Sequence, residues 1–496
     1  MEKFYLTTPI YYVNDAPHIG HAYTTIVADV LARYWRMRGA DVFFLTGTDE
    51  NSQKNVEAAA RAGEKDMQKY LDRMSALWQQ TFDSLAITHT DFIRTTEERH
   101  TRGVAMFWKR VWDAGDIYSG TYEGWYCVGC EAFVTESDLV DGRCTIHQRP
   151  AERLQEKNYF FRLSKYRDAL LNHIETHPDF VQPESRRNEI KSYIKDFMED
   201  VSISRQSVKW GIPVPGDPSQ IIYVWFDALV NYLTGVGFGA DEAAFNREWP
   251  ADLHLVGKDI IKFHCALWPA MLMSAKLPLP HRVFAHGFFT INGEKMSKSL
   301  GNFVDPLAVV KDYDLDTLRY YLLRDIPFGE DGDFSTERLQ QRYESELANG
   351  LGNLVYRVLS MTEKYCDGVV PPRATGRAEF WGAYDRAMEE LRPHDAIAAL
   401  WGVVRESNRF IDEEEPWKLA TTHPDRLRDV LYILLENLRH IAWMLVPLMP
   451  ETSLRIFASL GLHDTMQLSH EQATQWGGLS PGMKTLKGTP LFPKRQ

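Results

Sequence analysis

The stretch TTPIYYVNDAPHIGHAYTTIVADVLARYWRMRGADVFFLTGTDEN, residues 7–51, constrains the fold of this chain more than any other part of it. Apolar residues recur at helical spacing from Tyr23 to Tyr34, Gly39 suits the end of that helix, and VFFLTGT is typical of a buried strand. The pattern predicts a strand, a loop, a helix and a second strand. Because such a unit joins parallel strands, we expect an α/β fold around a parallel sheet.

Two histidines stand where the predicted helix begins. In units of this kind ligands bind at the carboxyl ends of the strands, and the first helical turn offers unpaired N–H groups to an anion. His18 and His21 are three residues apart and so share one helix face, and Gly20 removes a side chain that would obstruct a nucleotide. The same spacing also suits a metal site or a chance surface pair.

A second polar stretch, INGEKMSKSLGN, occupies residues 291–302. Its lysines and serines suit a phosphate chain, because ammonium groups and hydroxyls donate hydrogen bonds while glycines let backbone amides approach closely. An exposed, solvated turn has the same composition, and composition alone favours that turn. The choice between the two therefore depends on the rest of the chain.

A metal-binding pattern lies between these two stretches. Cys127-Val-Gly-Cys130 is followed, after thirteen residues, by Cys144-Thr-Ile-His147. Two chelating pairs of soft ligands suit a tetrahedral zinc whose four positions are all filled by protein, so we expect one structural zinc. The alternative, four unrelated reduced residues, is disfavoured by the specific spacing.

Composition limits the class of protein. A chain of 496 residues should form about three domains, and 44% hydrophobic with 25% charged residues is ordinary for a soluble globular protein. It contains no apolar run of the roughly 18 residues that a membrane helix needs, and MEKFYLTTPIYYV lacks the features of a secretory signal, so we expect a cytoplasmic location. The net charge of −12 does not exclude a nucleic-acid partner, because binding requires only a local basic surface.

The two polar stretches, HIGH and KMSKS, together resemble in order and context the two signatures of class I aminoacyl-tRNA synthetases. The blocks TTPIYYVN, GTDE, YVWFDALVNY, LVGKDIIKFHCALWPAML and HGFFTINGEKMSKS are similar to the methionyl-tRNA synthetase family, and the resemblance covers essentially the whole chain. It implies that L-methionine is activated with ATP and transferred to tRNA(Met), including the initiator tRNA. It also implies a split Rossmann-like parallel-sheet catalytic domain with a zinc-binding insertion, followed by an all-α anticodon-binding bundle.

The resemblance and the changes of pattern along the chain predict five segments. Strand and helix alternate at first, short strands and cysteines follow, a buried strand and helix resume, and the last part is helical. The expected segments are 1–116, the first catalytic half; 117–222, the zinc-binding insertion; 223–290, the second catalytic half; 291–345, the KMSKS loop and connector; and 346–496, the anticodon-binding bundle.

The resemblance also assigns catalytic and substrate-binding residues. His18 and His21 would hold the phosphates of ATP, and Lys295 and Lys298 would stabilise the transition state from a mobile loop, with Mg²⁺ accompanying ATP. The ATP-binding set further includes Gly20, Gly257, Asp259 and His286. Asp49 would bind the ammonium of methionine, and Arg205 would pair with Asp49 or with the substrate carboxylate. The residues implied to enclose the thioether are Ile10, Tyr12, Trp225, Ala228, Leu229, Tyr232, Ile260 and His264.

The helical C-terminal part is implied to read the CAU anticodon. Asn353 and Arg357 lie four residues apart on one predicted helix face and would bond to base edges, while Trp417, after Pro416, would stack on a base. Without the resemblance, a helix-capping asparagine and a core tryptophan would be the ordinary interpretation. The chain ends at LFPKRQ, without the tRNA-binding barrel that dimerises longer relatives, so a monomer is expected.

Two other classes of protein share part of this pattern. A small-molecule nucleotidyltransferase has the split fold and the histidine motif but needs neither a zinc insertion nor a long helical C-terminal part. A zinc-dependent nucleic-acid-binding protein would explain the cysteines and leave KMSKS without a role. Within the synthetases, the leucine, isoleucine and valine enzymes usually carry an editing insertion larger than the roughly 100 residues available here.

Overall fold

The computed structural model describes residues 2–128, 132–134, 136–146, 148–291, 293–295, 303–376, 378–463 and 469–494. In chain order the strands are β1 Lys3–Tyr12, β2 Asp41–Asp49, β3 Asp91–Arg94, β4 Ile117–Cys127, β5 Ala132–Val134, β6 Leu139–Val140, β7 Arg143–Cys144, β8 Glu152–Phe161, β9 Val181–Gln182, β10 Val201–Ser202, β11 Ser204–Arg205, β12 Pro213–Val214, β13 Asp217–Ile222, β14 Leu253–Gly257, β15 Val283–His286, β16 Phe289–Ile291, β17 Glu294–Lys295 and β18 Gly332–Phe334.

The α-helices, in the same order, are α1 Ile19–Met37, α2 Gln53–Arg61, α3 Met67–Ser84, α4 Glu98–Asp113, α5 Arg167–Thr176, α6 Glu184–Asp196, α7 Val224–Leu229, α8 Asn231–Thr234, α9 Glu242–Glu248, α10 Trp268–Ser274, α11 Pro306–Asp312, α12 Leu315–Asp325, α13 Thr336–Arg342, α14 Asn353–Cys366, α15 Trp381–Glu389, α16 Pro393–Glu414, α17 Pro416–Thr422, α18 Pro424–Leu445, α19 Pro450–Ser459 and α20 His470–Thr474. Among the described residues, none of the helices is both long and apolar enough to cross a membrane.

The chain divides into two compact units. One, called here the sheet unit, contains residues 3–17 and 42–286; the other, the helical unit, contains residues 1–2, 18–41 and 287–496. A six-stranded sheet in the order β3-β2-β1-β14-β15-β9 forms the centre of the sheet unit. The pairings β2–β3, β1–β14, β14–β15 and β15–β9 are parallel, as the strand–helix–strand pattern predicts.

The central strands are buried because helices and loops cover them, and such strands therefore read as continuous apolar runs. In β2, Phe44 and Leu45 are fully buried. Between the two halves of the sheet the chain forms a four-stranded sheet in the order β10-β8-β4-β5, in which β4 and β8 pair antiparallel over a long register. β9, which also lies within residues 117–222, instead extends the edge of the parallel sheet.

The helical unit contains α1 and all helices from α11 onward. Its long helices bury apolar faces, and a buried ion pair joins α1 to α12: Arg319 Nη1 lies 2.8 Å from Asp29 Oδ2, and neither side chain is exposed. Arg319 also donates to the carbonyl oxygens of Pro447 and Leu448, both at 2.9 Å. These bonds compensate much of the cost of burying a guanidinium. The predicted combination of a parallel sheet and a helical C-terminal region is confirmed.

Candidate active site

Four strands of the sheet unit end among residues that the sequence singles out. β1 ends at Tyr12, β2 at Asp49, β14 at Gly257 and β15 at His286. Because these strands are parallel, their carboxyl ends lie along one edge of the sheet, which is where ligands bind in such folds. Gly257 and His286 are direct register partners. A Cβ on Gly257 would lie 2.6 Å from Asp259 Oδ1, so a side chain at this position would displace the Asp259 carboxylate.

Four aromatic side chains in contact with one another, Trp225, Tyr232, Phe263 and His264, are called here the aromatic wall. Trp225, in α7, stacks on Phe263 with ring centroids 3.9 Å apart and an interplanar angle of 4°. The His264 ring meets Trp225 edge-on at 6.2 Å. Tyr232, in α8, places its hydroxyl 2.8 Å from His264 Nε2. Ala228 and Leu229 are buried, whereas Ile10, Tyr12 and Ile260 are partly buried beside the apolar core.

His264 is uncharged in this wall. It lies in a turn of π-helix, Phe263–Leu267, a local irregularity often found at functional sites. Its Nδ1 is 3.0 Å from the carbonyl oxygen of Ile260, so Nδ1 carries the proton and Nε2 accepts from the hydroxyl of Tyr232. Burial lowers the pKa of His264 to about 4. A neutral, polarizable aromatic wall suits an apolar or thioether side chain.

Asp49 is 4% exposed and lies at the end of β2. Its Oδ1 accepts from the backbone N–H of Asn51 at 3.2 Å, and its carbonyl oxygen accepts from the side chain of Asn55 at 2.9 Å. A buried carboxylate at this edge can bind an ammonium group. Arg205 is held by other groups: Nη1 donates to both oxygens of Ser202, at 2.9 and 3.1 Å, and to the carbonyl oxygen of Ser204 at 2.7 Å. Its predicted pairing with Asp49 or the substrate stays a prediction.

Three contacts in this region involve residues that are not among the site residues predicted from the sequence. Phe263 is the stacking partner of Trp225, Lys54 Nζ lies 4.7 Å from the centre of the Tyr12 ring, and Asn51 binds Asp227. Phe263 precedes His264, and Asn51 closely follows Asp49. Nearness in sequence to these predicted site residues was the one signal that could have indicated Phe263 and Asn51. It does not reveal which side chains face each other.

The two motif histidines lie at the N-terminus of α1, in the helical unit. His18 caps the helix, and its Nδ1 accepts from the N–H of Gly20 at 3.1 Å. His21 Nδ1 accepts from the N–H of His18 at 3.2 Å, and the two rings stack with centroids 3.6 Å apart. Burial, and next the neighbouring His18, hold the pKa of His21 well below its usual value. With both Nδ1 atoms accepting, a neutral imidazole carries its proton on Nε2, which can donate to a phosphate.

The lysine-rich stretch is described only in part. The backbone of Lys295 pairs with Thr290 in the β16–β17 hairpin. Lys298 lies outside the described residues. Where the chain is described again, it lies at the start of α1: the N–H of Ile19 donates to the carbonyl oxygen of Val304 at 3.1 Å, and the Phe303 ring meets the His18 ring edge-on at 5.8 Å. The residues that directly follow this stretch, Phe303 and Val304, are therefore neighbours of the helix start that carries the motif histidines.

The four predicted anticodon residues lie on α14 and α17. Asn353 is exposed at the first position of α14, and Arg357 forms an ion pair with Asp412 at 2.6 Å. Pro416 is buried and begins α17, whereas the next residue, Trp417, is 47% exposed. Trp417 is therefore not a core tryptophan, and an exposed indole is available to stack on a base.

Two of the four predicted zinc ligands are described, and both are buried cysteines. Cys127 ends β4 and Cys144 ends β7, with exposures of 0% and 1%. Cys144 opens a tight turn in which the N–H of Gln148 donates to its carbonyl oxygen at 2.8 Å. Buried thiols at turns fit the donor set of a structural zinc. Cys130 and His147 lie outside the described residues, and within those that are described no three His, Cys, Asp or Glu side chains form a metal-binding group.

Two protein families match the sequence. The family described as tRNA synthetases class I (M) matches residues 4–139 and 134–359, and the anticodon binding domain of methionyl tRNA ligase matches residues 378–495. The methionine–tRNA ligase of Thermotoga maritima is 48% identical over 99% of this chain and 80% of its own length. That of Rickettsia conorii is 44% identical over 99% of both chains.

Solved structures agree with these matches. Mycobacterium tuberculosis methionyl-tRNA synthetase in complex with methionyl-adenylate superposes with a TM-score of 0.96 at 42% identity, over 100% of both chains. The free form of the same protein superposes with a TM-score of 0.89 at 40% identity, over 100% of this chain and 99% of its own. The family matches, the relatives and the shared fold together establish that the chain belongs to the methionyl-tRNA synthetase family of class I aminoacyl-tRNA synthetases and has methionine–tRNA ligase activity.

Proposed function

We propose that the sheet unit binds methionine at the carboxyl edge of its sheet, and that the chain charges tRNA(Met), including the initiator tRNA, in two steps. In the first step the methionine carboxylate attacks the α-phosphorus of ATP, which forms methionyl-adenylate and releases pyrophosphate. In the second, a hydroxyl at the tRNA 3′ end attacks the adenylate carbonyl and AMP leaves. The neutral aromatic wall, which hydrogen bonds of Asn51 to Asp49 and Asp227 link to the buried carboxylate, is the observation that supports methionine as substrate.

Each part of methionine has a proposed partner. Asp49 binds the ammonium, and Arg205 binds the carboxylate or steadies Asp49. The thioether lies against the aromatic wall, where contacts with polarizable rings favour sulfur over a charged or strongly hydrated group. The residues proposed to enclose it are Ile10, Tyr12, Trp225, Ala228, Leu229, Tyr232, Ile260 and His264.

ATP is proposed to bind at glycine-containing turns and at side chains that donate hydrogen bonds or carry a positive charge. Gly257, Asp259 and His286 hold adenosine, and Gly20 lets a phosphate approach the helix. His18 and His21 donate Nε2–H groups to the phosphates, while Lys295 and Lys298 stabilise negative charge that develops as pyrophosphate leaves. Bound with ATP, Mg²⁺ would supply further charge neutralisation, although no residue of this chain identifies its ligands. No protein nucleophile is required.

The remaining assignments follow from the family. Asn353, Arg357, Pro416 and Trp417 are proposed to read the CAU anticodon, and the chain is proposed to act as a cytoplasmic monomer. The proposed segments are 1–116 and 223–290 for the catalytic domain, 117–222 for the insertion, 291–345 for the KMSKS loop and connector, and 346–496 for the anticodon-binding bundle.

Zinc is proposed to bind Cys127, Cys130, Cys144 and His147 and to stabilise the insertion. Structural zinc contributes on the order of 10 kcal/mol to local folding, so its loss should loosen this segment strongly. We expect about one zinc per purified chain by elemental analysis, and we expect Cys144→Ala to abolish zinc binding. Cys366→Ala, which removes a partly buried cysteine at the end of α14, is the matched control and should keep the metal. A Cys144→Ala protein with full zinc content would refute the assignment.

Substrate specificity is tested most directly by amino-acid-dependent exchange of pyrophosphate into ATP without tRNA. We expect methionine alone among the standard amino acids to support rapid exchange, because a neutral wall of fixed shape rejects charged and β-branched side chains. A second arm measures charging of a tRNA with a CAU anticodon. Exchange that is as fast with leucine or isoleucine as with methionine would contradict the proposed pocket.

A further inference from the structure

A buried polar network is hydrogen-bonded to segments of the proposed methionine pocket, and all of it belongs to the sheet unit. Its centre is Asp227, whose side chain is not exposed. Asp227 Oδ1 is 2.6 Å from His100 Nε2, and Asp227 Oδ2 accepts from Asn51 Nδ2, also at 2.6 Å. Because a carboxylate oxygen can only accept, His100 carries a proton on Nε2. His100 is likewise fully buried, and Asn51 is 8% exposed.

The network contacts three of the segments that carry the proposed pocket: the end of β2, α7 and α8. Asn51 also donates its backbone N–H to Asp49 Oδ1 at 3.2 Å, which ties it to the proposed ammonium acceptor. Asp227 lies in α7, between Trp225 and Ala228. His100 Nδ1 is 2.9 Å from Thr234 Oγ1, in α8, the helix that carries Tyr232. Asn51 thus holds the ammonium end, while His100 and Asp227 join α7 and α8, the helices that carry Trp225 and Tyr232.

Such a network has little freedom to adapt. Both oxygens of Asp227 have short contacts with donors, and removing one partner of a buried charged hydrogen bond leaves the other unsatisfied. A shift of about 1 Å in a binding group is enough to reduce the rate of a reaction by about a hundredfold. The separation between Asp49 and the aromatic wall is therefore sensitive to Asn51, Asp227 and His100, none of which belongs to the proposed pocket.

We propose that Asn51, Asp227 and His100 are positioning residues that fix the distance between the ammonium-binding carboxylate and the aromatic wall, and that they thereby match the pocket to the length of methionine. This inference rests on the proposed function of Asp49 and of the wall. Changes at these three residues are therefore expected to weaken methionine binding and to leave ATP binding unchanged.

The test compares Asn51→Ala, Asp227→Asn and the double variant in methionine-dependent pyrophosphate exchange. Each single variant should raise the KM for methionine about tenfold and leave the KM for ATP within about twofold. Both variants alter the same hydrogen bond: Asn51→Ala removes its donor, and Asp227→Asn replaces its charged acceptor with a neutral amide oxygen. The double variant should therefore raise the methionine KM by clearly less than the product of the single effects. If Asp227→Asn fails to fold, Asn51→Ala, at the less buried end of the bond, decides the question.

Asp116→Asn is the matched control. Asp116 is a buried aspartate of the same unit, 1% exposed, with hydrogen bonds from Lys165 and Ser274 at 2.6 and 2.8 Å, and it contacts none of the proposed pocket residues in the described bonds. It should lower the melting temperature without changing the methionine KM. If folded Asn51→Ala and Asp227→Asn variants also have a lower melting temperature and an unchanged methionine KM, the inference is overturned.

Asp49→Ala separates failure of the inference from failure of the pocket. A large rise in the methionine KM for Asp49→Ala, next to an unchanged KM for Asn51→Ala, would overturn the positioning role alone. An unchanged methionine KM for Asp49→Ala would overturn the pocket, and the inference with it.

Discussion

Replacing Trp417 with alanine is expected to lower the rate of tRNA charging about a hundredfold, since stacking of one base on an aromatic ring contributes about 1–3 kcal/mol. The indole is 47% exposed at the start of α17, so its removal leaves no core cavity. Methionine-dependent pyrophosphate exchange without tRNA should therefore stay within about twofold of the parent. The measurement is the ratio of the two rates for parent and variant.

The matched control for this variant is Trp112→Ala. Trp112 lies on α4 in the sheet unit and is 48% exposed, close to the exposure of Trp417. It should leave both rates nearly unchanged. Equal loss of charging and exchange in Trp417→Ala would show that Trp417 supports the fold rather than the anticodon. Equal loss of charging in both variants would show that any exposed tryptophan has this effect.

Replacing His21 with asparagine is expected to slow adenylate formation about a hundredfold, in the range observed when one donor to a developing negative charge is removed. Asparagine places its amide oxygen near the position of Nδ1 and can still accept from the N–H of His18, a bond of 3.2 Å here. It has no group at the position of Nε2. The variant should therefore keep the cap of α1 and lose the phosphate donor.

Glutamine at position 21 makes the reciprocal change. Its amide nitrogen reaches the position of Nε2, so His21→Gln should recover at least about tenfold over His21→Asn in pre-steady-state adenylate formation. Similar melting temperatures for both variants would exclude a general loss of structure. An asparagine variant within twofold of the parent would contradict the proposed donor, and a glutamine variant no faster than the asparagine one would contradict the assignment to Nε2.

Much of the catalytic fold could be predicted because its signals are local. The helical spacing from Tyr23 to Tyr34 and the apolar run VFFLTGT depend on periods of a few residues, and the structure has α1 and β2 there. The HIGH and KMSKS stretches and the paired cysteines are likewise short patterns whose spacing carries the chemistry. The family and the class of reaction followed from them.

Tertiary structure alone decided which side chains meet. Asp227 is separated from Asn51 by 176 positions and from His100 by 127, and no periodicity in the chain links residues so far apart. The same is true of the exposure of Trp417, which depends on how α17 lies in the helical unit, and of β9, which joins the parallel sheet from within residues 117–222. Local elements, chemical motifs and the family could be predicted from the sequence, because hydrophobic period and residue spacing act over short distances. The tautomers of His21 and His264 and the network around Asp227 were decided by packing, because hydrogen bonds and burial join residues that only the folded chain brings together.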